Sequence, residues 1–335
     1  MTKKKIKFSV IIKTYNSEKN VMRSVQSVLL QSIGAAEIIV VEGKSNDTTP
    51  IVISELVSSG FIIAIKPGKS DDAGAMNRAL RLATGNYILF MDAEQWLECD
   101  YLECINKYLS KHNQENRPDF IFINNENVDL NKTNEEIILS KETLPPFLEE
   151  IYSFGSVSQL DCKLYSTEII KKGNVKFDQD TIGNEGLFFN LNFFCNAKSI
   201  LILREKRGYN GKKTQLKLNK PTFCNATLQK EHYIFVTKML LDRFSLNNST
   251  SSYPWYIKRM VSYELSIIIS MFYSNKSASS VRKRIDALRL YKEKHAVFGL
   301  FTKKERLIYS LLLSNSFISY HIFYVIYVAV FISRL

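Results

Sequence analysis

With 335 residues, 45% of them hydrophobic and 23% charged, the chain has enough apolar material for a sizeable core and is excluded from the disordered class. That length suits one large domain plus a smaller one. The five cysteines, Cys99, Cys104, Cys162, Cys195 and Cys224, form no CxxC pair and no Cys/His cluster, which excludes a disulfide framework and a cysteine zinc site and fits a reducing compartment.

The opening segment MTKKKIKFSVIIKTYN has lysines followed by an apolar run. That run is too short for a signal-peptide core and lacks a small-residue cleavage site. It reads as a first strand, Lys7 to Ile12, starting inside the cell. Ser17 is placed to cap a helix over Glu18 to Gln31, in which Val21, Val25, Val28 and Leu29 recur at helical spacing. A second strand spans Glu37 to Val41, and Pro50 opens a helix near Ile51 to Ser58 as a first-turn proline. A third strand covers Phe61 to Ile65, and a polar loop over 66–74 precedes a helix over 75–83 that Gly85 closes as a C-cap.

Tyr87 to Met91 is a continuous run of large apolar residues, the pattern of a strand covered on both faces. It ends in Asp92, Ala93 and Glu94. Strand and helix alternate with short connections throughout this half, so the sheet is mostly parallel, with helices on both faces. In such a sheet the loops after successive strands share one edge and one crevice. The crevice is expected to hold an aromatic face from Tyr15, a carboxylate from Glu42, and the acid pair Asp92 and Glu94. Two carboxylates just past a core strand can hold a divalent cation that a diphosphate also holds; a solvated acidic turn is the plainer reading. No GxGxxG and no GxxxxGK[ST] occurs, which excludes a dinucleotide fingerprint and a phosphate-binding loop.

The series SVIIKTYN, EIIVVEGKSNDTT and AMNRALRLATGNYILFMDAEQ resembles the N-terminal half of family 2 glycosyltransferases of the GT-A fold. It follows their order and spacing over about residues 6–105. The resemblance implies an inverting transfer of a sugar from a nucleotide-diphosphate donor. It assigns Thr14, Tyr15 and Asn16 to the turn lining the nucleobase, with the Tyr15 ring as the stacking surface. Glu42 takes the place of the acid that contacts the base, and Asn77 that of the asparagine in an A-R-N motif. Asp92 faces the ribose and diphosphate, and Asp92 with Glu94 holds Mg or Mn. The chain departs from the family pattern at Lys13, where a proline is usual, at Glu42-Gly43-Lys44, at Met76, and at Gln95.

Trp96 to Tyr108 reads as a helix and Asp119 to Ile123 as a strand, while residues 124–142 read as a solvated loop or hairpin. Further on, a KLYS strand precedes Gly183-Asn184-Glu185 at the start of a helix. The resemblance places the catalytic base at Glu185; the alternative is an acid that merely caps the helix, where negative charge is favoured anyway. Asp178 and Asp180 are further carboxylates in this stretch. The segment 204–220 carries seven Lys/Arg against one Glu and is either a solvated charge run or a basic loop that closes over a diphosphate.

The net charge of +12 is uneven, because thirteen Lys/Arg and four Asp/Glu fall from residue 250 onward. This last third is helical by pattern, and RKRIDALRLYKEK (282–294) has the alternation of a surface-lying helix. The tail over 317–335 is apolar, with Tyr320, Tyr324 and Tyr327, but slightly short of the roughly twenty residues a span needs. A buried core helix is the alternative. Basic helices beside an aromatic tail point to an anionic membrane surface rather than to nucleic acid, for which no base-reading motif exists.

These readings give an α/β GT-A domain over 1–220 and a helical, membrane-associating C-terminal region over 221–335. The expected activity moves one sugar from a UDP-linked donor, of hexosyl or N-acetylhexosaminyl type, to a glycan or lipid-linked acceptor. The setting is surface polysaccharide biosynthesis at the cytoplasmic face of the cell membrane. The absence of Q-x-x-R-W favours single addition over polymer synthesis. A second reading, of a different class, is a non-catalytic nucleotide-sugar-binding or scaffold protein of a membrane polysaccharide assembly complex.

Overall fold

The computed structural model describes residues 6–35, 37–66, 72–113, 116–124, 135–140, 143, 159–161, 163–178, 185–204 and 209–211. The boundary expected at 220, the basic helices and the apolar tail lie outside the described residues. Among the described residues no helix is long and apolar enough to cross a membrane.

The N-terminal half alternates as the sequence pattern requires. β1 (Phe8–Thr14), β2 (Glu37–Glu42), β3 (Ile63–Ile65) and β4 (Tyr87–Asp92) are interleaved with α1 (Val21–Leu29), α2 (Thr49–Ser58) and α3 (Asp72–Leu82). These four strands are parallel, in the spatial order β3-β2-β1-β4. The short β5 (Gln95–Leu97) and α4 (Tyr101–Leu109) follow, then β6 (Phe120–Asn124) and β7 (Glu135–Ile138). β8 (Lys163–Ser166), α5 (Thr167–Lys172), α6 (Glu185–Asn196), β9 (Ser199–Arg204) and β10 (Tyr209–Gly211) complete the described elements. The main sheet has eight strands in the order β3-β2-β1-β4-β8-β6-β9-β7. β8 runs antiparallel to both β4 and β6, and β7 antiparallel to β9. The sheet is therefore mixed, and β6 and β9 point the same way as β1 to β4.

Side-chain alternation splits the core into two layers. Phe8, Val10 and Ile12 of β1, Ile38 and Val40 of β2, and Tyr87, Leu89 and Met91 of β4 pack with Val21, Val25 and Val28 of α1, Ile53 and Leu56 of α2, and Leu102 and Ile105 of α4. The other face carries Ile11, Ile39, Ile88 and Phe90. There α6 lies on the sheet through aromatic contacts: Phe189 stands edge-on to Phe90 at 5.5 Å, and Phe193 meets Phe120 at 5.9 Å. Phe177 stacks on Phe189 at 4.5 Å and meets Phe90 edge-on at 5.9 Å. Asn77 ties α3 to the same face by bonding Phe177.

Three expectations are corrected. Trp96 does not start a helix: it sits in β5, which pairs antiparallel with β10, and the helix begins at Tyr101. The Ser17 hydroxyl does not cap α1; it donates to the Tyr15 carbonyl, and it is the Ser17 carbonyl that accepts from Asn20 and Val21. Gly85 is no left-handed C-cap, since Gly60 is the glycine with positive φ among the described residues. Gly85 is small because β1 lies against it: a Cβ there would come within 2.6 Å of both Ser9 N and Ser9 Oγ. Its N–H donates to Ser9 Oγ at 2.8 Å.

Candidate active site

The site is built at the carboxyl edge of the parallel strands. Thr14 ends β1 beside Glu42 at the end of β2, and Lys13 lies beside Asp92 at the end of β4. Three of the expected positions, Thr14, Glu42 and Asp92, are thus brought together by register alone. Thr14 is buried and its hydroxyl donates to the Val41 carbonyl at 3.2 Å, so its side chain seals the sheet end. Beyond it Tyr15 is 58% exposed, a large ring left in solvent at a strand tip. Gly43 gives that ring its room, because a Cβ at Gly43 would stand 2.6 Å from the Thr14 carbonyl and 3.4 Å from Tyr15 Cβ.

The loops after β1 and β2 are stitched together. Asn16 is held at φ 48, a left-handed conformation that asparagine tolerates better than most residues. Its N–H donates to Ser45 Oγ at 3.0 Å, and its Oδ1 accepts from the Asn46 N–H at 2.8 Å. Glu42 is buried and its Oε1 accepts from the Ser45 N–H at 2.6 Å. Glu18 accepts from both the N–H and the hydroxyl of Thr48. Asn16 and Glu42 therefore fix the shape of the two loops that flank Tyr15.

Asp92 is partly buried, and its Oδ1 accepts from the Glu94 N–H at 3.2 Å. Burial pushes its carboxyl above the ordinary range; the neighbouring Glu94 and Asp161 push the same way, while the Glu94 N–H and Lys13 oppose them. Glu94 is exposed. Gln95, buried beneath this turn, accepts from the Asp92 N–H at 2.6 Å and donates to Asp161 at 2.9 Å. Asp161 and the bridging role of Gln95 were not legible as site features; the one signal was that Gln95 stands where the family pattern has an acid.

Among the described residues no three His, Cys, Asp or Glu side chains gather as a metal-binding group. Asp92 and Glu94 nonetheless offer two hard oxygen donors, and the like charges around Asp92 favour a cation. A Mg or Mn ion that keeps several waters and shares a substrate diphosphate needs only one or two protein carboxylates. The donor set therefore fits such an ion.

Glu185 opens α6 and is partly exposed. Gly183 and Asn184, and Asp180, lie outside the described residues. The aromatic contacts of α6 set its direction: Phe189 is level with Phe90 of β4, and Phe193 with Phe120 at the start of β6. The helix thus runs against the strands. Glu185 is one turn above Phe189, about 6 Å along the axis, and Asp92 is two residues beyond Phe90, about 7 Å along the strand. The start of α6 and the end of β4 therefore lie toward the same edge on the same face. Asn77 sits deeper. Its amide donates to the Phe177 carbonyl and its Oδ1 accepts from the Phe177 N–H, both at 2.8 Å, so it braces the segment that leads toward α6. Of the basic segment, Tyr209 to Gly211 pair with β5, immediately after the acidic turn; Lys212 and Lys213 lie outside the described residues.

Residues 9–171 match the model of glycosyl transferase family 2. The chain is 25% identical over 213 residues to the poly(ribitol-phosphate) beta-N-acetylglucosaminyltransferase TarS of Staphylococcus aureus, covering 61% of this chain and 35% of that protein. It is 35% identical over 104 residues to the amylovoran biosynthesis glycosyltransferase AmsB of Erwinia amylovora, covering 30% of this chain and 35% of that one. The chain thus spans about a third of the length of these curated relatives. The crystal structure of S. aureus TarS 1-349 in complex with UDP-GlcNAc superposes with a TM-score of 0.67 at 18% identity, covering 96% of this chain and 91% of that one. That likeness shows the fold, GT-A. The matched domain and the fold agree: residues 9–171 carry a glycosyltransferase family 2 domain.

Proposed function

We propose that the chain transfers a single sugar from a UDP-linked donor to a hydroxyl of a glycan or lipid-linked acceptor, with inversion, during surface polysaccharide assembly. What supports this reading is the strand register, which brings the end of β1, with the exposed Tyr15 just past it, beside Asp92 of β4, together with the direction of α6, which starts at Glu185 on the face of the sheet that carries Phe90. The relatives support it: TarS is named for N-acetylglucosaminyl transfer and was solved with UDP-GlcNAc, and AmsB is named for amylovoran biosynthesis.

In this mechanism the nucleobase stacks on Tyr15, between loops shaped by Asn16 and Glu42, with Thr14 closing the floor. Asp92 and Glu94 would hold Mg or Mn, which when bound offsets the charge that builds on the departing diphosphate. Glu185 takes the proton from the acceptor hydroxyl as its oxygen bonds the anomeric carbon from the face opposite the diphosphate. The bond from that carbon to the diphosphate oxygen breaks, UDP leaves with the electron pair, and the anomeric configuration inverts. Asn77 acts as a positioning residue, through the Phe177 backbone. The basic, apolar C-terminal composition supports a setting at the cytoplasmic face of the membrane.

The test is calorimetric titration of UDP with and without Mn²⁺, on the wild type and on Asp92→Ala. Metal-enhanced binding that the variant loses supports the donor site; binding unchanged in the variant refutes it.

A further inference from the structure

We propose that Lys13 is a donor-site cation, whose ammonium meets the diphosphate of the bound nucleotide. This rests on the donor reading above and extends it to a residue outside the family pattern. Lys13 is the register neighbour of Asp92. Phe8, Val10 and Ile12 of β1 pack in the opposite layer, so Lys13 projects from the face that carries Asp92, α3 and α6. It is the one exposed side chain in a strand that is otherwise buried from end to end. Its Nζ lies 3.9 Å from Asp72 Oδ2, in the first turn of α3 at the same edge.

The charge balance gives this position its use. A diphosphate brought to Asp92 meets the fields of three carboxylates, Asp92, Glu94 and Asp161. A divalent cation offsets part of that repulsion, and a fixed ammonium beside Asp92 offsets more. Asp72 does not use the lysine up: the two side chains are 48% and 59% exposed, and such a loose surface pair contributes little. An ammonium carries three donors, so Lys13 can keep Asp72 and still meet a phosphate oxygen. The proline usual at this position has neither charge nor donor, so nucleotide binding here depends less on metal than that pattern implies.

The experiment compares wild type, Lys13→Met and Lys13→Arg for UDP by calorimetry, in Mn²⁺ and in EDTA, and for uridine by NMR titration. Lys13 is half-exposed, so Lys13→Met is expected to fold, and a thermal melt verifies this. Lys13→Met should weaken UDP about tenfold, the size of one charge-assisted hydrogen bond, with a larger loss in EDTA. Uridine affinity should not change, and Lys13→Arg should stay near wild type. Equal UDP affinity in wild type and Lys13→Met overturns the proposal. So does a matching loss for uridine, which would make the lysine structural. If the wild type binds none of UDP, GDP and dTDP, the donor reading itself fails and takes this inference with it.

Discussion

Replacing Gln95 with leucine probes how the acidic turn is held. The side chain is 4% exposed and joins two groups: it accepts from the Asp92 N–H at 2.6 Å and donates to Asp161 at 2.9 Å. Leucine has nearly the same volume but neither bond. The loss comprises one neutral hydrogen bond, about 1 kcal/mol, and one to a carboxylate, about 1.5–3 kcal/mol. Gln95→Leu should therefore lower unfolding stability by about 2–4 kcal/mol, read as a reduced urea midpoint at unchanged slope. It should also weaken UDP binding, because the Asp92 main chain is no longer pinned. Gln95→Glu should be worse on both counts, since it sets a second carboxylate against Asp161. A Gln95→Leu protein with wild-type stability and UDP affinity would refute the idea that this amide organises the turn.

Gly85→Ala places a Cβ against the Ser9 backbone and should cost about 1–3 kcal/mol by overpacking, measured by thermal denaturation. Glu37 accepts hydrogen bonds from Ser9, Thr84 and Gly85 at the opposite edge of the sheet. Burial alone would raise its pKa, yet these hydrogen bonds outweigh it and hold the carboxyl below its ordinary value. A lowered folded pKa means the stabilisation is present above the unfolded value of 4.5 and is lost as pH falls through the folded one. Glu37→Gln should flatten that acid limb of the stability curve, and an unchanged limb would contradict the assignment. Tyr15→Ala should weaken UDP by about 1–3 kcal/mol, the range of base-aromatic stacking, without changing the melting temperature.

The strands and helices of the first hundred residues were legible because apolar alternation there matches one period at a time: 3.6 in α1, unbroken runs in β1, β2 and β4. The site positions were legible because the carboxyl ends of parallel strands must share an edge, so Tyr15, Glu42 and Asp92 had to converge. Trp96 was misread because the pattern around Tyr101 runs smoothly back into it, and β5 forms only by pairing with Tyr209 to Gly211, far along the chain. Gly85 was misread because a close approach to Ser9 leaves no local trace. Asp161 was invisible for a similar reason: its link to the acidic turn is a contact across sixty-six positions, made by Gln95. The membrane-facing reading of the C-terminal third rests on composition.

The most direct test of the central claim is release of UDP from UDP-sugars in Mn²⁺, in wild type and Glu185→Gln, alongside UDP affinity in each. A base at Glu185 predicts turnover in the wild type and its loss in the variant, with UDP affinity retained. Equal turnover in both would contradict the role of Glu185, and UDP binding without any release in the wild type would leave a nucleotide-sugar-binding protein in place of an enzyme.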